Sequence, residues 1–143
     1  MIPKCRDFFF VLLILLLVPN FLSAQTNETS SNKDTLAVLW TSGDPDVAEK
    51  VCLMYTHAAK SNKWFNHVIL IVWGPSAKLL SENIAVQDKV KKMIDDGISV
   101  QACVVCADSY NVSENLRSIG IEVIGMGKPL TSYLKTGYSI LNF

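Results

Sequence analysis

From Thr35 to the end of this 143-residue chain, short apolar runs alternate with stretches of helical period. That alternation constrains the fold more than any other feature. Thr35 to Thr41 reads as a strand. Ser42-Gly43-Asp44-Pro45 is a turn in which Asp44 can cap a helix and Pro45 suits its first position. Val47, Val51, Met54, Tyr55 and Ala58 then recur at helical spacing. His67 to Trp73 is a β-branched run, apolar on both faces, as a central strand covered by helices requires. Gly74-Pro75 ends it. Helices are expected at Ala77 to Leu80 and Val86 to Asp96, with Gly97 as a stop. Ile98 to Ala102 is a third strand, Cys103 to Arg117 turn plus helix, and Ile121 to Ile124 a fourth strand. Pro129 to Lys135 is a helix and Tyr138 to Leu141 a last strand.

This order predicts an α/β fold: a single three-layer, flavodoxin-like or Rossmann-like sandwich around a mostly parallel sheet of about five strands. A dinucleotide fingerprint is missing, because Ser42-Gly43-Asp44-Pro45 supplies one glycine and Pro45 removes an amide that a phosphate would use. There is no P-loop either, and no cofactor is expected. The 13 basic and 13 acidic side chains cancel, which argues against nucleic acid as a partner.

The chain divides into three. Lys4 and Arg6, the apolar run Phe8 to Val18, and Leu22-Ser23-Ala24 before Gln25 have the order of a secretory signal peptide at residues 1–24. The run is short for a hydrocarbon core, which takes roughly 20 helical residues. Residues 25–34 carry nothing apolar to bury and read as a flexible tether, and residues 35–143 form the domain. The expected location is periplasmic or secreted, with no membrane contact after cleavage. Cys5 precedes the apolar run, so lipid attachment at a cysteine after the run is not expected. Asn27-Glu28-Thr29 and Asn111-Val112-Ser113 match the glycosylation sequon.

In open parallel sheets, ligands bind beyond the carboxyl ends of the strands. Trp40 and Thr41, Trp73 and Gly74, Cys103, and Gly125-Met126-Gly127 should gather along that edge. Trp40, Thr41, Trp73, Gly74 and Met126 are the expected pocket. His67 begins its strand at the other edge and His57 lies well along the first helix, so neither suits Cys103. Cys103-Val104-Val105-Cys106 is the sharpest local pattern. A helix start beside a thiol favours the thiolate, the form that attacks sulfur. Persulfide carriage, dithiol/disulfide exchange and half of a metal site are open readings. Against them stands a pair of packed or disulfide-bonded cysteines. Zinc suits least, because a structural site wants four ligands and only Cys52 and two scattered histidines remain, so no metal is expected. Cys52, between apolar neighbours on a helix, reads as core.

Leu36 to Trp40, Val68 to Leu80 and Gly97 to Val112 resemble the DsrE/DsrF-like sulfur-relay family: strand, cysteine, two residues, second cysteine, short helix. The resemblance covers roughly Thr35 to Phe143. It implies a flavodoxin-like sandwich that assembles as a homo-oligomer, trimeric or hexameric. It also implies a cysteine that carries a persulfide between proteins. By position that cysteine is Cys103, with Cys106 as resolving thiol. A sulfur donor or acceptor protein, or a small thiol, would be the partner. Whether such a protein counts as an enzyme is left open.

Overall fold

The computed structural model describes residues 34–143. The expected signal peptide, and the tether up to residue 33, lie outside the described residues. Asp34 belongs to the folded part: its carboxylate accepts from the backbone and side-chain amides of Asn66.

Five strands form one parallel sheet in the order β4-β3-β2-β1-β5. They are β1 (Thr35–Trp40), β2 (His67–Val72), β3 (Ser99–Cys103), β4 (Glu122–Ile124) and β5 (Ser139–Asn142). Helix α1 opens as Pro45–Val47, passes through a π-helical stretch at Ala48–Cys52, and continues as Leu53–Ser61. The others are α2 (Pro75–Glu82), α3 (Ile84–Asp95), α4 (Val104–Ser109), α5 (Ser113–Ser118) and α6 (Gly127–Lys135).

The topology follows from crossover handedness. β1 to β4 step outward in one direction, so right-handed crossovers put α1 to α5 on one face. The chain then returns past β1 to lay down β5, which sends α6 to the other face. His67–Val72 is the central strand, as its doubly apolar sequence requires. Asp44 caps α1 through Oδ1, accepting from the amides of Asp46 at 2.8 Å and Val47 at 3.0 Å.

Strand side chains alternate between faces, and so the core has two parts. Leu36, Val38, Leu70, Val72, Val100 and Ala102 point to the side of α1 to α5 and are buried. Ala37, Ile71, Cys103 and Met126 form the smaller cluster on the α6 side. There Leu39, Ile69, Ile124 and Ile140 remain only partly buried, because one nine-residue helix cannot cover five strands. Among the described residues, no helix is long and apolar enough to cross a membrane.

Candidate functional site: a thiol pair at the carboxyl edge of the sheet

Cys103 is the last residue of β3, and its backbone is still extended (φ −68°, ψ 115°) as it caps α4. β-strand alternation aims its side chain at the α6 face, where it packs with Ala37, Ile71 and Met126. It is 5% exposed. Cys106 lies one helical turn further on, in α4, and is half-buried against the same cluster. Between them Val105 stands 72% exposed. Cys52, Cys103 and Cys106 are all free thiols.

The Cys106 sulfur feels both the Cys103 thiol and the Gly74 backbone amide. Burial pushes the Cys106 thiol above its ordinary range, and the Cys103 bond and charge add to this; the Gly74 amide opposes it. The lowering expected at a helix start therefore does not hold for Cys106, because desolvation of the sulfur outweighs the favourable amide.

Gly74 reaches Cys106 because of a turn that the sequence reading passed over. The buried hydroxyl of Ser76 donates to the Trp40 carbonyl at 2.6 Å and accepts from the Trp73 amide at 3.0 Å. One side chain thus ties the ends of β1 and β2 to the first turn of α2. Gly74 bridges this clamp at φ 70°, ψ −134°, a conformation open essentially to glycine alone. A serine two residues after a strand-ending glycine was the available signal, but hydroxyls there ordinarily read as caps.

The expected pocket is only partly assembled. Trp73 and Met126 join Cys103 and Cys106 in the smaller cluster, and Gly74 touches Cys106. Trp40 does not. It pairs in register with Val72, so its indole shares Val72's face and lies in the main core, across the sheet from Trp73. Thr41 is engaged elsewhere: its hydroxyl donates to the Phe143 carbonyl at 2.8 Å, tying the end of β1 to the residue after β5. On the α6 side Tyr133 stacks on Tyr138 with centroids 4.8 Å apart, and its hydroxyl donates to Gln101 at 3.0 Å.

His67 is exposed at the opposite edge, and His57 pairs with Asp96 at 2.6 Å, far from the thiols. Cys52 is buried in the π-helical stretch, and burial pushes its thiol up to about 12, partly offset by Thr56. Among the described residues, no three His, Cys, Asp or Glu side chains cluster to hold a metal ion. A groove of about 450 Å³ opens between α1 and α3, floored by Leu53, Met54 and Met93, and the cysteines do not line it. Its lysines are already paired, Lys89 with Glu49 and Lys92 with Asp96.

Comparison with known proteins gives a consistent picture. A conserved protein of unknown function from Bacteroides thetaiotaomicron, BT1422, is 36% identical. The match covers 79% of this chain and 97% of that one, with a TM-score of 0.76. The ychN protein of E. coli shares the fold at 13% identity, with a TM-score of 0.58 over 76% of this chain and 97% of its own. The search of curated proteins returned no match. Residues 34–143, which is to say all of the described domain, match one family along their whole length, and the chain belongs to the DsrE/DsrF-like family.

Proposed function

We propose that this is an exported sulfur-handling protein that works through the Cys103–Cys106 thiol pair. Family membership supports a sulfur-relay-like role at the level of the family. The observation that carries the finer reading is the pair itself: two free thiols packed in one cluster at the carboxyl edge, one of them partly open to solvent. A thiolate there attacks the sulfane sulfur of a donor persulfide and holds it as a protein persulfide. The donor or acceptor is a protein or a small thiol. Export rests on the basic, apolar and small-residue order of residues 1–24. Assembly of several copies is supported by the thinly covered α6 face.

Mass spectrometry of the reduced protein after exposure to a sulfane-sulfur donor tests this. The peptide holding both cysteines should gain sulfur, or hydrosulfide should appear in solution. If the peptide gains no sulfur and no hydrosulfide appears, with both thiols intact and the protein folded, the reading is removed. One observation favours a second reading, that the cysteines only pack: Cys103 is 5% exposed. That reading requires both thiols to resist alkylation in the native state.

A further inference from the structure

The two cysteines are not equivalent, and their placement is the reverse of what their order in the chain suggests. Cys103 ends a buried strand. It is buried in one cluster with Ile71 of the adjacent β2, Ala37 of β1 one strand further on, and Met126 at the start of α6. An attacking group must bring its sulfur to roughly 3–3.5 Å, in line with the bond to be broken. A donor carrying anything beyond a lone sulfur cannot do that at a thiol sealed to this degree. Cys106 is the more open of the two, half-buried and next in the chain to the exposed Val105. Whatever sulfur reaches Cys103 therefore comes by way of Cys106.

Resting on the thiol reading above, we propose that Cys106 takes the incoming sulfur, and that Cys103 resolves the Cys106 persulfide from behind, releasing hydrosulfide. In the first step the Cys106 thiolate attacks the outer sulfur of a donor persulfide, R–S–SH. A sulfur–sulfur bond forms to Cys106, the donor's own bond breaks, and the donor leaves as its thiolate, R–S⁻. No net oxidation occurs. In the second step the Cys103 sulfur attacks the inner sulfur of Cys106–S–SH. The Cys103–Cys106 disulfide forms, hydrosulfide leaves, and the Cys103 proton passes to solvent. The transferred sulfur gains two electrons and the dithiol loses two. An external dithiol then reduces the disulfide by exchange and closes the cycle.

The alternative second step, attack on the outer sulfur, would expel Cys106 as thiolate. Leaving ability falls as the leaving thiol's basicity rises, and burial raises the Cys106 thiol above its ordinary range. Hydrosulfide is the better leaving group, so the pair ends as a disulfide and the sulfur is not handed inward to Cys103. This makes the protein a reducer of sulfane sulfur, and sets it apart from a carrier that keeps its cargo.

The experiment uses reduced full-length protein, glutathione persulfide as the probe, peptide-resolved mass spectrometry and a hydrosulfide assay. Cys103→Ala should accumulate a stable adduct of about +32 Da on Cys106, the mass of one persulfide sulfur. Wild type should pass through that adduct and finish about 2 Da lighter as the disulfide, with one equivalent of hydrosulfide released. Cys106→Ala should label at Cys103 at least roughly tenfold more slowly, since that thiol must be reached through the packing. Equal or faster labelling of Cys103 in Cys106→Ala overturns the order but leaves the thiol reading standing. No labelling and no hydrosulfide in any form removes both. Circular dichroism and the serine variants at each position establish that a silent variant is folded; a folded Cys103→Ser that fails to hold sulfur on Cys106 also overturns the order.

Discussion

Gly74→Ala tests how the thiol pair is held. The residue sits at φ 70°, ψ −134°, and a Cβ built there meets nothing within 4 Å, so the cost is conformational and not steric. Holding an L-residue in such a region costs about 1–3 kcal/mol. Alanine also stiffens the unfolded chain, which returns about 0.4–1 kcal/mol. The net loss should be about 1–2 kcal/mol, measured as a lower midpoint in urea at unchanged slope. Relaxing the strain through φ rotates the peptide that carries the Gly74 amide. That withdraws a donor which lowers the Cys106 pKa, so iodoacetamide should modify Cys106 more slowly at neutral pH. Gly43→Ala is the contrasting control. Its φ is ordinary, but its new Cβ would stand 3.0 Å from the Pro75 Cβ. It should destabilise by displacing the start of α2. A Gly74→Ala protein with wild-type stability and wild-type Cys106 reactivity would refute the reasoning.

Other consequences can be measured separately. Because burial and Cys103 raise the Cys106 thiol, its alkylation should still be climbing at alkaline pH where an unshifted thiol, already fully ionised, has levelled off. Cys52, pushed up to about 12, should remain unmodified throughout as long as the fold persists. His57, first, and Lys92 hold the Asp96 carboxyl below the usual carboxylate range. A depressed folded value means the contribution is complete above the unfolded value and is lost as pH falls through the folded one. The small stability gap between wild type and Asp96→Asn should therefore be present at neutral pH and vanish in acid; a gap that widens in acid contradicts the assignment. Trp40 buries an indole N–H that has no partner among the described residues. An orphan donor costs about 1–3 kcal/mol, so Trp40→Phe should lie within about 1 kcal/mol of wild type despite the lost ring. Trp40→Ala should lose about 3–5 kcal/mol by calorimetry or urea unfolding.

The parts of this molecule that were legible in its sequence are those fixed by local chemistry. His67–Val72 could only be a central strand, since both of its faces needed cover. Asp44-Pro45 carried its own capping geometry, and it starts α1 where predicted. The thiol pair itself was visible as a spacing. What stayed hidden depends on register and on distant elements. Trp40 and Trp73 both follow apolar runs, yet they face opposite sides of the sheet, because β1 and β2 align Trp40 with Val72. The same limit applies to the cysteines. Cys103 is buried in a cluster whose members come from β1, β2 and, with Met126, from beyond β4. Nothing near residue 103 announces it. The segment after Cys106 breaks into two helices around Asn111, whose φ of 59° asparagine tolerates better than most residues. The clamp at Ser76 joins three elements through one hydroxyl, and such a junction has no local pattern to read.

The most direct measurement compares wild type with a folded Cys103→Ala/Cys106→Ala double variant, counting hydrosulfide released per chain from a persulfide donor. A wild type that releases hydrosulfide, beside an inert double variant, is the predicted result. Equal release from both, or neither hydrosulfide nor a sulfur adduct from wild type in its reduced form, would contradict the assignment of sulfur chemistry to this pair.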